Sequence, residues 1–159
     1  MIKVHRAINE DFASVCTIIE EYFNAIGVLI RDDHNQLRVY LEENAGGVWL
    51  ALDEVSIVGC VVLRPLTTEP EACEIKRLYV KEPHRGIGVA DALLDALEGY
   101  AYEYGYRVAY LDTKDDLQAA LRFYERRGYQ ECERYNENPQ ATRFMRQQLK
   151  PSVQLSCKQ

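Results

Sequence analysis

The chain has 159 residues, 47% of them hydrophobic and 28% charged, enough for one domain with a real core and ordinary for a soluble globular protein. No apolar run approaches the ~20 residues that cross a bilayer, and the start, MIKVHRAINEDF, lacks the long apolar core of a signal peptide, so a cytoplasmic protein without membrane contact is expected. The formal net charge of −6 speaks against broad contact with nucleic-acid phosphates and is compatible with a cationic substrate.

Residues 2–7 alternate and predict a first strand. Asn9 is the expected cap of a helix reaching Ile26, with Phe12, Val15, Ile18, Ile19, Tyr22, Phe23 and Ile26 at helical spacing and Gly27 ending it. Residues 32–44 read as a short second helix with Leu37, Tyr40 and Leu41 inward. Gly46-Gly47 breaks the chain, and strands over 48–52 and 56–66 form a hairpin around Asp53-Glu54. CEIKRLYV, residues 73–80, is the next strand.

A helix over 87–104 follows, with Ala90, Leu93, Leu94, Leu97 and Tyr104 on one face, closed by Gly105. RVAYLD is a strand, and 116–128 a helix carrying Leu117, Ala120, Leu121 and Tyr124, stopped by Gly128. YQECERY and TRFMRQQL are two last strands around the turn NENP, and the polar tail from Pro151 is expected to be frayed. The order is β-α-α-β-β-β-α-β-α-β-β. Hairpins first and then a strand-helix-strand unit, which needs a parallel pair, predict a mixed α/β sheet with helices on both faces. No linker divides the chain, so residues 1–149 are expected to form one domain and 150–159 a tail.

The five cysteines, Cys16, Cys60, Cys73, Cys132 and Cys157, show no C-x-x-C spacing, and His5, His34 and His84 lie far apart. Neither a disulfide framework nor a metal site is suggested, and the cysteines read as small buried hydrophobes.

The segment LYVKEPHRGIGVADALLDAL sets two glycines where a helix must nucleate, although glycine costs ~1 kcal/mol against alanine there. The first turn of a helix leaves amide hydrogens without partners, and these together with the helix dipole attract anions. Glycines let backbone approach phosphate oxygens, and Arg85 adds charge at the mouth. Two better-known phosphate loops are absent: there is no G-x-x-x-x-G-K-S/T, and G-x-G-x-x-G fails because position 91 holds Asp91. A helix start whose glycines merely allow tight packing is the competing reading.

Arg85-Gly86-Ile87-Gly88-Val89-Ala90 matches the Q/R-x-x-G-x-G/A signature of GNAT-type N-acetyltransferases. EIKRLYVKEPHRGIGVADALL resembles that family's fourth strand, loop and third helix, and AALRFYERRGY resembles its later helix, ending in Tyr and then Gly-aromatic. The resemblance is specific over 73–97 and 117–129, and the element order extends it from 1 to about 149. CEIKRLYV, LDT and YNENPQATRFM look like a small bacterial-type, single-domain branch.

The resemblance implies the GNAT fold: a mostly antiparallel sheet of about seven strands whose fourth and fifth strands splay apart. It implies acetyl-coenzyme A as co-substrate, no metal, and transfer of acetyl to a primary amine of a small molecule or amino acid by direct attack in a ternary complex. The pyrophosphate would lie on the amides of Ile87, Gly88, Val89, Ala90 and Asp91, beside Arg85 and Gly86. The pantetheine arm would run along Leu78, Tyr79 and Val80, where an amide of Leu78 or Val80 would polarise the thioester carbonyl. Glu74 stands where some members carry a general base, although it can equally be a flanking glutamate paired with Lys76 or Arg77. Tyr124 stands at the general-acid tyrosine. Many members have asparagine seven residues before that tyrosine, where this chain has Leu117.

Two alternatives remain at this stage: an acyl-coenzyme A-binding module without catalysis, and an acetyltransferase acting on a protein amine. Substrate contacts are expected from residues 26–35 and 135–142, with Arg31, Asp32, Asp33 and Asn138 available. Arg122, Arg126 and Arg127 read as a solvated basic face that can touch the 3′-phosphate of the cofactor. Homodimers are common in the family, and the final hairpin could supply an interface.

Overall fold

Alternating and helical patterns place the elements of the computed structural model, which describes residues 1–152. They are β1 (Ile2–Arg6), α1 (Phe12–Ile26), α2 (His34–Glu42), β2 (Gly47–Asp53), β3 (Ser56–Pro65), β4 (Ala72–Val80), α3 (Val89–Tyr104), β5 (Val108–Thr113), α4 (Gln118–Arg126), β6 (Gln130–Glu131) and β7 (Arg143–Gln148). The strands form one sheet in the order β1-β2-β3-β4-β5-β7-β6, antiparallel except for the β4–β5 pair.

The central strands β2 to β5 bury both faces, while β1 exposes alternate residues and β6 is exposed. In β3, Val61 and Leu63 meet Leu93, Leu94 and Leu97 of α3, while Cys60 and Val62 meet the layer of α1 and α2 built on Val15, Ile19, Phe23 and Tyr40. The three α3 leucines are fully buried, each stabilising by ~2 kcal/mol. Gly59 lets this contact close: a Cβ there would meet the Tyr79 carbonyl at 2.8 Å and the Leu93 side chain at 3.2 Å. Leu121 and Tyr124 bring α4 to the α3 face.

The one parallel pair is short. β4 meets β5 only from Ala72–Val108 to Glu74–Tyr110. Beyond Glu74, β4 keeps β3 while β5 continues with β7 to Thr113, so the two strands part as expected. β4 also carries a bulge: Arg77 and Leu78 together stand opposite Val61, and Arg77 sits at φ +58°, an uncommon value outside glycine. The Arg77 guanidinium donates to both carboxylate oxygens of Asp32, at 3.1 and 3.2 Å, which ties the bulge to the chain before α2.

Several boundaries differ from the expected ones. Asn9 does not cap a helix; it opens a 3-10 turn, and Asp11 accepts from the Ile8 amide at 2.9 Å. α2 begins at His34 because Asp33 caps it, accepting from the Gln36 amide at 2.8 Å. Tyr104 is not on the buried face of α3 but exposed, stacked on Tyr100. The strand expected over 129–135 shrinks to Gln130–Glu131. After the Cys132 amide donates to the Phe144 carbonyl the chain leaves the ladder, and Tyr135 and Asn136 turn toward Glu74. Cys60 and Cys73 are buried, Cys16 and Cys132 partly so. Cys157 and most of the expected tail, residues 153–159, lie outside the described residues.

Candidate active site

The loop after β4 is built by backbone rather than by side chains. A 3-10 turn over Glu82–His84 leads to Gly86 at φ +80° and Gly88 at φ +90°, and Gly88 caps α3 without a side-chain hydrogen bond. A Cβ on either glycine would meet nothing within 4 Å, so glycine is required here for its positive φ and not for room. The first helical bond of α3 is Ala92 N–H to the Gly88 carbonyl at 3.0 Å. No amide from Gly86 to Asp91 donates to another group among the described residues. The loop therefore presents a run of N–H donors at the positive end of a sixteen-residue helix.

Two details qualify this anion cradle. Arg85 is folded back, its Nε donating to the Val80 carbonyl at 2.8 Å. Asp91 places a carboxylate in the first turn, where it would repel phosphate. Arg127 neutralises it at 2.9 Å, with Arg126 at 4.0 Å. Arg127 also holds Asp95 and Glu98, at 2.9 and 2.8 Å, so it belongs to an α3–α4 clamp and not to the solvated basic face expected from the sequence. Ile87 is 63% exposed.

A cavity of about 1020 Å³ runs from Gly86, Gly88 and Asp91 along Leu78, Tyr79 and Val80 to Tyr124, Glu74 and Asn138. It occupies the gap where β4 and β5 part. Lys81 N–H donates to the Val58 carbonyl at 2.8 Å, so the pleat turns the amide of Val80 away from β3, toward the uncovered edge. Tyr124 is 8% exposed, and its hydroxyl makes no hydrogen bond among the described residues. Burial, and then the neighbouring Tyr22 and Asp112, raise its pKa. Leu117 stands at the cap position of α4 and lines the same space.

At the far end Glu74 is 7% exposed and forms no ion pair with Lys76 or Arg77, contrary to the flanking-glutamate alternative. Its Oε2 accepts from the Tyr135 hydroxyl at 2.8 Å and from Asn136 Nδ2 at 3.0 Å. Asn136 Nδ2 also donates to Asp112 Oδ2 at 2.6 Å, and Asn138 Nδ2 to Asp112 Oδ1 at 3.3 Å. Oε1 of Glu74 has no donor among the described residues and is not sealed from solvent.

The structure thus brings Glu74, Leu78, Tyr79, Val80, Tyr124, Asn138 and the glycine loop together. It leaves Arg31 out: that guanidinium bonds the Val28 carbonyl and Asn24 and does not line the cavity. Asp32 and Asp33 are likewise occupied, by Arg77 with Tyr40 and by the α2 cap. Asp112 was not expected as a site residue, and Tyr135 and Asn136 were covered only by the expected substrate segment 135–142, not named within it. The only signal for these particular residues was their place in the motifs LDT and YNENPQAT.

The sequence model described as Acetyltransferase (GNAT) family matches residues 12–129. An uncharacterized N-acetyltransferase of Schizosaccharomyces pombe is 32% identical over 137 residues, which cover 82% of this chain and 83% of that protein. Human N-acetyltransferase 8B is 29% identical over 108 residues, 65% of this chain and 48% of its own length, so the chain spans about half of that relative. Among solved structures, a GNAT-family acetyltransferase of Staphylococcus aureus Mu50 aligns with a TM-score of 0.81 at 22% identity, over 94% of this chain and all of that one. An acetyltransferase of Streptococcus agalactiae aligns at 0.77 with 20% identity, over 93% and 98%.

Proposed function

The chain belongs to the acetyltransferase (GNAT) family and is an acyltransferase acting from acetyl-coenzyme A on an amine, and on that premise we propose that the cavity between β4 and β5 is its active site, where a primary amine of a small molecule or amino acid attacks directly with both substrates bound. The first-turn amides of α3 fit a pyrophosphate, since no group among the described residues caps them. The uncovered edge of β4 fits an extended arm that pairs like an added strand. When bound, acetyl-coenzyme A supplies a thioester with an electrophilic carbonyl carbon and a thiolate leaving group.

The side chains then have separate tasks. An amine with the ordinary lysine pKa of about 10.4 is almost wholly protonated at neutral pH and must lose a proton before it attacks. Glu74 is assigned as the base that takes it at Oε1, while the two donors on Oε2 fix the carboxylate's orientation. Tyr124 keeps its proton because burial disfavours the phenolate, and it delivers that proton to the departing sulfur. The Val80 amide is the candidate donor to the carbonyl oxygen as charge develops there.

The carrying observation is that uncapped amides of α3 and the unpartnered hydroxyl of Tyr124 line one continuous cavity. Calorimetric titration with acetyl-coenzyme A tests it. The parent protein should bind, and Gly88→Trp should lose binding, because a side chain at φ +90° disturbs the loop and fills its mouth. Folded parent protein that gives no heat, or a variant that binds as the parent does, would remove the assignment.

A further inference from the structure

The face of the sheet under α1 and α2 carries two cations without an ion-pair partner among the described residues. Arg64 stands opposite Glu74 in the β3–β4 ladder and Lys76 opposite Val62, so the three charged side chains share one face, and all line the cavity. Arg77, the neighbouring cation, is bound to Asp32. Among the described residues neither Arg64 nor Lys76 forms an ion pair or a hydrogen bond, and neither has a sealed nitrogen. The Arg64 guanidinium lies 5.9 Å from the Tyr40 ring centre.

Burial, with Arg77 and Arg64 beside it, presses the Lys76 pKa down, and Glu74 and Asp32 oppose this only in part. A half-buried pair of like charges of this kind is relieved by an anion. The spacing suits a bifunctional ligand: alternate strand residues repeat at ~7 Å and opposed ones at ~5 Å, so a group at Glu74 Oε1 and a second at Lys76 and Arg64 belong to one small molecule.

Gln140 restricts its size. Its amide oxygen accepts from the Leu29 amide at 3.0 Å, and its amide nitrogen donates to the Gly27 carbonyl at 3.3 Å, which ties the 136–142 turn to the α1–α2 connection beside the cavity. Ile26, Val28 and Ile30 add apolar wall.

We propose that the acceptor is a free amino acid, its amine at Glu74 and its carboxylate held by Lys76 and Arg64. This rests on the acetyl-transfer reading above and specifies its acceptor.

Thiol release from acetyl-coenzyme A is measured with leucine, phenylalanine and glutamate, each against its decarboxylated amine and its amide, and against a peptide starting with the same residue. For at least one of the three, kcat/KM should favour the amino acid by about 10- to 100-fold, the worth of a charge-assisted contact. The preference should shrink toward one in Lys76→Met and Arg64→Met and return in Lys76→Arg. Equal rates for amine, amide and amino acid would overturn the carboxylate site while leaving acetyl transfer standing, and so would preference for the peptide. Turnover of the amines or amides but of none of the amino acids would overturn the amino-acid assignment alone, whereas no turnover at all despite calorimetric binding of coenzyme A would overturn catalysis of acetyl transfer with it. Absence of coenzyme A binding would overturn the acetyl-transfer reading beneath it.

Discussion

The hydroxyl of Tyr124 stands unpartnered at the cavity wall, and its surroundings make the phenolate costly. Replacing it with phenylalanine removes the proton and little volume. Tyr124→Phe should lower kcat about 100-fold, within the range general acids contribute, with a much smaller change in KM for acetyl-coenzyme A. Because the shift is upward, the acid form persists past the ordinary phenol pKa of about 10. The parent's rate should therefore rise with pH as the amine deprotonates, and no falling limb from Tyr124 should appear below about pH 10 in a pH–rate profile. Tyr124 was legible in the sequence because it lies in a local motif. The contacts of Tyr135 and Asn136 with Glu74 were not, since they span 61 and 62 residues and no local spacing encodes them.

Between elements, the decisive joint is α3 against α4. Arg127 has 13% side-chain exposure and holds three α3 carboxylates, so its pKa is raised despite burial. Arg127→Met would leave Glu98, with 19% side-chain exposure, beside Asp91 and Asp95 without their cation. Asp95 and Asp91 are largely solvated and contribute less. The expected cost is about 2 kcal/mol, below the range for fully buried pairs, or roughly 5 °C in melting temperature by calorimetry. The same variant exposes the pyrophosphate loop to the Asp91 charge, so coenzyme A should bind more weakly, and more so at low salt. Helix periodicity located α3 and α4 to within a few residues. It could not show which arginine faces inward, because 122, 126 and 127 look alike in sequence.

At the level of the whole molecule, eight tyrosines, Tyr22, Tyr40, Tyr79, Tyr106, Tyr110, Tyr124, Tyr129 and Tyr135, have pKa values raised, in each case first by burial. Their protons are kept in the folded state after the unfolded chain has lost its own near pH ~10. The unfolded state then binds fewer protons, so stability falls as pH rises, each such phenol adding a slope approaching 1.4 kcal/mol per unit, to about that precision. Urea midpoints should hold between pH 7 and about 9 and drop steeply above about 10. A flat profile to pH 11 would show that these phenols are not buried as described.

Alternation, helical spacing and a glycine pair with positive φ are properties of neighbouring residues, and from them the sequence by itself determined the element order, the core faces and the loop that opens α3. The point at which β4 parts from β5, after the Glu74–Tyr110 pair, the bulge at Arg77 and the Glu74–Tyr135–Asn136–Asp112 network were decided only by tertiary structure. Each depends on where distant strands stop pairing, and a strand's pattern is the same whether its edge is covered or left open.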